Sequence, residues 1–185
     1  MAMEKLSMVE QMKNAQKERA SIPYETYKDH CKNLLTHSFV FIENSFKRFC
    51  KERNEEYKDQ VFYCYQDILV YISMCDGEFL QGEYDIYKLL CDWAKIEPLS
   101  VNDYQELFNR LTDARVIEGI KLVSASRPTM DHADYRALTS GLCYFAFAGD
   151  MEIDEKEYYI IRTFYNPHFD EVPLTWDEFK NKMAQ

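Results

Sequence analysis

Apolar residues recur along this chain at intervals of three and four, and no segment alternates apolar and polar positions between turn residues. From Tyr24, the residues Tyr27, Cys31, Leu34, Leu35, Ile42, Phe46 and Phe49 fall on one stripe, the spacing of a long amphipathic helix. Ser21 and Pro23 signal its start, and the charged stretch 51–56 its end. Residues 1–20 are polar with sparse apolar positions, and the pattern predicts a frayed arm or one weakly docked helix. A helix is expected over 57–75, with Val61, Phe62, Tyr65, Ile68, Leu69 and Ile72 on one face and Tyr63, Cys64, Val70 and Tyr71 extending the apolar surface around it. Such a helix belongs at the centre of a bundle.

Asp76-Gly77 should end that helix, with Gly77 as a left-handed cap. Further helices are expected over 82–94, closed by Pro98, and from Ser100, with Asp103 in its first turn, to Asn109. Another carries Val116, Ile117, Ile120 and Val123, up to a break at Arg127-Pro128. Thr129 or Asp131 can cap the next, which holds Leu138, Leu142, Tyr144, Phe145 and Phe147 and is again apolar almost all round. A loop over 150–155 precedes a helix over 156–165, which Asn166-Pro167 ends, and Thr175 with Glu178 forms a capping box for a last short helix. The fold class is therefore all-α, a helical bundle, and five glycines and five prolines are too few for the turns of a sandwich or barrel.

The two centrally placed helices look alike, and so do the segments immediately C-terminal to them. One constant offset (150 − 76 = 74) pairs Asp76 with Asp150, Glu78 with Glu152, Glu83 with Glu157, Tyr84 with Tyr158 and Ile86 with Ile160, without a gap. The shared pattern is a helix, Asp-x-Glu-apolar-x-x-x-Glu-Tyr-x-Ile, and a second helix, which predicts a pseudo-two-fold repeat of helix–acidic loop–helix units. Two readings of the acids stand side by side. Asp76 and Asp150 come after a helix C-terminus, where the macrodipole disfavours an anion. Each could cap the next helix, with Glu83 and Glu157 in its first turn. Alternatively, Asp76, Glu78, Glu83, Asp150, Glu152 and Glu157 could hold a hard divalent cation, Ca²⁺ or Mg²⁺. An EF-hand is excluded, because counting from Asp76 or Asp150 places Tyr87 or Ile161 where the bidentate acid must stand.

These residues resemble the TerB-like (tellurite-resistance) family over about 57–165, most closely in the Asp-Gly-Glu-x-x-x-x-Glu element from Asp76 to Glu83; the second copy departs with Met151 in place of glycine. The resemblance implies an N-terminal helical extension over 1–55, a TerB-like bundle over 56–170 and a short C-terminal helix over 171–185 on the same domain. It also implies a non-enzymatic stress-response or interaction module, with an acidic cluster for divalent metal and a protein partner associated with the membrane. A metal-independent helical adaptor is the alternative, and an acid/base enzyme on carboxylates trails both.

Composition narrows the remaining choices. The net charge of −10 opposes nucleic-acid binding. The first twenty residues have no apolar signal core, and the run over 61–75 is too short to span a bilayer, so a cytoplasmic protein, peripheral at most to the inner membrane face, is expected. Cysteines 31, 50, 64, 75, 91 and 143 show no zinc spacing and read as buried thiols, Cys75 alone abutting the acidic motif. His30, His37, His132 and His168 match neither di-iron nor zinc patterns, and no phosphate loop or nucleophile elbow is present, so no catalytic residue is assigned. The tyrosines, on helical stripes, are expected in core and rim.

Overall fold

The computed structural model describes residues 7–56, 58, 60–125, 129–166, 168–169, 171 and 174–185, with Asp113 described for its backbone alone. The helix start expected at Tyr57, the break at Arg127-Pro128 and the stop at Pro167 lie outside those residues. Among the described residues the chain is all-helical: α1 (Met8–Ser21), α2 (Tyr24–Glu52), α3 (Gln60–Met74), α4 (Gln81–Ala94), α5 (Val101–Arg110), α6 (Asp113–Ser124), α7 (His132–Ala146), α8 (Glu155–Arg162) and α9 (Trp176–Met183).

The apolar stripe of α2 packs along α7. Tyr27, Cys31, Leu35, Ser38 and Ile42 lie on one face and are buried. The helices cross closely at Gly141, where a Cβ would stand 3.1 Å from Leu35 Cδ2 and 3.3 Å from the Leu35 backbone nitrogen. Helix α3 is buried on nearly every side against α2, α4, α5, α6, α7 and α8, as its all-round apolar sequence requires. Helix α7 is buried without interruption from Ala137 to Ala146.

Of the two alternatives expected for the N-terminal segment, the structure shows the docked helix, α1, rather than a frayed arm. Met8, Met12 and Ala15, at i, i+4 and i+7, are buried on α7. The buried Gln11 accepts hydrogen bonds from Thr139 Oγ1 (2.8 Å) and Ser140 Oγ (2.9 Å), which match its amide oxygen, while its Nε2 is buried without a partner among the described residues. Ser21 closes α1, its hydroxyl donating to the Lys17 carbonyl (2.7 Å), and Ile22 and Pro23 stand between it and α2. Other ends obey the sequence signals. Ser100 caps α5 through the Asp103 N–H, while Asp131, rather than Thr129, caps α7 in a box with Asp134. Thr175 and Glu178 box α9.

Tyr27, Tyr87, Tyr104 and Tyr158 are buried with satisfied hydroxyls, while Tyr63 and Tyr159 stand exposed. Tyr27 donates to the Tyr144 carbonyl (2.6 Å), Tyr158 to the Leu174 carbonyl (2.7 Å) and Tyr87 to Gln66 Oε1 (3.0 Å), while Tyr104 shares a bond with Ser73 Oγ (2.8 Å). No described helix is long and apolar enough to cross a membrane.

Candidate functional site

The site is built where α3 and α7 end. After Met74, the Gly77 N–H bonds back to the Met74 carbonyl (2.9 Å) and Gly77 turns left-handed at φ +94°. Met151, 74 residues on, takes φ +66° with a side chain. Asp76 Oδ1 accepts from the Glu78 N–H (2.9 Å) and Asp150 Oδ1 from the Glu152 N–H (3.0 Å), so the two acidic loops share one turn.

Neither aspartate caps the next helix, which corrects that reading. Helix α4 starts behind Leu80 with no side-chain cap, and α8 behind Asp154, which accepts from the Glu157 N–H (2.8 Å). Glu157 returns a bond from the Asp154 N–H (2.7 Å), completing a capping box. Glu83 occupies the matching first-turn position of α4 but reaches across to the other loop, accepting from the Gly149 N–H at 3.2 Å. In the reverse direction Lys156 Nζ donates to the Cys75 carbonyl (2.8 Å). Positions 75 and 149 differ by the same 74, so the start of α4 grips the chain just after α7 and the start of α8 the chain just after α3. Close approach enforces this: a Cβ on Gly82 would stand 2.4 Å from the Ala148 carbonyl oxygen, and one on Gly149 would stand 2.5 Å from Glu83 Oε1.

Five of the six acids singled out in the sequence, Asp76, Glu83, Asp150, Glu152 and Glu157, line one cavity of about 120 Å³. Glu78 does not line it; its contribution is the backbone N–H of the Asp76 turn. Asp154 joins the wall, a residue without a sequence signal at the repeat offset, because its counterpart there is the apolar Leu80. The spacing Asp154-x-x-Glu157, an acidic variant of the capping box, is the signal that could find it.

Burial governs the electrostatics. It raises the Glu83 carboxyl to about 8, assisted by Asp150 and Asp76 and opposed by the Gly149 N–H. Burial likewise raises Glu157 to about 9, assisted by Asp154, Glu83 and Asp76 and opposed by the bond from the Asp154 N–H. Glu83 Oε2 is buried without a hydrogen-bond partner. Cys75 Sγ lies 3.7 Å from Asp154 Oδ1, and burial together with Asp154, Glu157 and Asp76 pushes its thiol up, which disfavours the thiolate a redox role requires.

The back of the site is held by elements that the acidic motif does not announce. From α1, Gln16 Nε2 donates to the Met151 carbonyl (3.0 Å) and Arg19 Nε to the Ala148 carbonyl (3.2 Å). From α2, Tyr24 Oη donates to the Gly82 carbonyl (2.9 Å).

An all-oxygen donor set is the kind that suits a hard cation, and the buried Glu83 Oε2 is left without a partner among the described residues. In this conformation, however, no three acidic, histidine or cysteine side chains among the described residues are grouped as metal ligands. No family model matches the chain, and neither a curated protein nor a solved structure is similar to it at a significant level.

Proposed function

We propose that this chain is a non-enzymatic, TerB-like interaction module whose acidic cavity takes one hard divalent cation, Ca²⁺ or Mg²⁺. The observation that carries the reading is Glu83: a buried carboxyl with one oxygen unpartnered, facing a cavity walled by five further acids. An unmatched buried oxygen costs about 1–3 kcal/mol, and a cation would remove that cost. The size of the cavity points the same way. Small-molecule pockets span about 300–1,000 Å³, whereas this one suits an ion with a little water.

Asp76, Glu83, Asp150, Glu152, Asp154 and Glu157 would supply the oxygens, with side chains of the exposed loops moving inward. Asp76 and Asp150 each spend one oxygen on their turn and keep the other available. Because Glu83 spans the two units, a cation there bears on how they sit together, and so on any partner surface they share. A protein partner, a membrane-peripheral place and a role in tellurite or stress response come from the family resemblance alone. The adaptor reading has its own support, since Glu157 already serves as a cap and both buried glutamates sit comfortably as neutral acids below their raised pKa values.

Calorimetric titration with Ca²⁺, Mg²⁺, Mn²⁺ and Zn²⁺ separates the two readings. A single site is expected for Ca²⁺ or Mg²⁺, with a stabilisation of about 2.7 kcal/mol at one hundred times the dissociation constant. Asp76→Asn with Asp150→Asn should abolish it while keeping the helices, because asparagine preserves the turn bond. No binding by any of the four ions hands the case to the adaptor.

A further inference from the structure

A second, larger recess lies away from the acidic cavity, between the C-terminal half of α2, the N-terminal half of α3 and the outward face of α6. Its volume is about 800 Å³, within the range of pockets that hold organic ligands. The lining is mainly apolar and unusually open to solvent for such residues: Phe49 is 41% exposed and Tyr63 53%. Helix α6 approaches α3 at Gly119, where a Cβ would stand 3.3 Å from the Cys64 carbonyl oxygen, so the floor is tight and the opening lies above it.

The polar groups of the recess are unevenly spent. Asp67 is buried, and both its oxygens are taken by Arg115, at 2.7 Å from Nε and 3.0 Å from Nη2. Glu118 is paired with Lys121 at 2.7 Å. Arg115 keeps most of its five N–H donors and is half exposed. Arg48 makes no ion pair or hydrogen bond among the described residues. The lining acid left over, Glu52, stands at the exposed last residue of α2. Three basic and three acidic side chains line the recess, but Asp67 and Glu118 are already paired, so Arg48 and the spare N–H groups of Arg115 have no carboxylate partner among the described residues beside the aromatic surface.

We propose that this recess binds a single-chain amphiphile with a carboxylate head, a free fatty acid in chemical class. Its chain lies along Phe46, Phe49 and Leu122, and its carboxylate accepts from the spare N–H groups of Arg115 and Arg48. Guanidinium–carboxylate pairing supplies the orientation and the aromatic wall supplies affinity.

The test is calorimetric titration of the full chain with dodecanoate below its micellar concentration, beside dodecanol and beside vesicles of phosphatidylcholine with phosphatidylglycerol. One saturable dodecanoate site is expected, with dodecanol roughly tenfold weaker. Arg48→Glu and Phe49→Ser, both on exposed positions and checked by circular dichroism, should each weaken dodecanoate roughly tenfold. Absence of saturable binding, equal binding of the alcohol, or indifference to both substitutions overturns the proposal. Binding to anionic vesicles but not to dodecanoate would make the surface a membrane contact and overturn it too. A dimer that Phe49→Ser dissociates would assign the recess to a second copy, with the same consequence.

Discussion

Gly77 and Met151 carry the same left-handed turn, one without a side chain and one with it. For an L-residue that conformation costs about 1–2 kcal/mol, so Met151 is held there by its surroundings, among them the Gln16 bond to its carbonyl. Gly77→Ala tests the backbone alone, because a Cβ there meets nothing within 4 Å. A loss of about 1 kcal/mol in urea unfolding is expected, with the helix content unchanged. Gly82→Ala is a different experiment, since its Cβ would run into the Ala148 carbonyl, a backbone atom that cannot rotate away. The expected loss is about 1–3 kcal/mol and exceeds that of Gly77→Ala. At this scale the sequence is legible where one residue type has one physical use. Gly77 announces its own turn, whereas the need for Gly82 and Gly149 depends on a crossing of two helix ends that lie 67 positions apart (149 − 82). Asp154 is hidden for a similar reason: the offset pairs it with a leucine, and its carboxylate enters the cavity only once α8 has docked.

Among the elements, α3 and α7 can be read from apolar residues on every face, and the stripe of α2 from its spacing. Helix α1 is legible only as one of two alternatives, because its buried face is Met8, Val9, Met12 and Ala15 with Gln11 among them. What docks it is a set of long-range polar bonds that no local pattern announces. Gln11 bonds to α7, and Glu18 is reached by the Tyr144 hydroxyl and by His30 Nδ1 (2.7 Å). Arg19 and Gln16 then hold the loop behind the acidic cavity. A chain starting at residue 22 therefore loses two buried methionines and the rear brace of the site. Burial of such side chains contributes about 1.5–3 kcal/mol each, and at about 2–4 °C per kcal/mol the melting midpoint should fall on the order of 10 °C. Circular dichroism melting checks this, and an unchanged midpoint would show that α1 is a passenger.

The whole molecule carries a net charge of −10 and still buries two glutamates at one end of the bundle. Their effect on stability has a definite sign. Burial raises Glu83 to about 8 and Glu157 to about 9, both well above the unfolded glutamate value. Between those limits the folded chain binds more protons than the unfolded one, so without a cation stability falls as pH rises. The contribution is complete below about pH 4.5 and is lost as the pH passes through 8 and 9, at up to about 1.4 kcal/mol per pH unit for each group. Glu18 acts in the opposite direction. Burial raises its pKa, but the bonds from Tyr144 and His30 outweigh that and lower it, so its contribution is lost as pH falls into the carboxylate range. A midpoint that is highest near pH 5–6 and declines toward pH 9 is therefore expected for the cation-free chain. A divalent ion in the cavity favours the ionised carboxylates, so its stabilising effect should be small at pH 5 and grow toward pH 8. Glu83→Gln removes the ionisation and keeps the size and the acceptor for the Gly149 N–H. It should remove the Glu83 share of the alkaline decline and leave the Glu157 share, whether or not a cation binds, and it should weaken the cation's effect at pH 8 only if the cavity is its site. Melting curves at pH 5, 6, 7, 8 and 9, with chelator and with Ca²⁺ or Mg²⁺, read both outcomes from one protein. A decline whose steepness Glu83→Gln leaves unchanged would mean that this carboxyl ionises freely in the fold, and the buried-acid account of the cavity would fail with it.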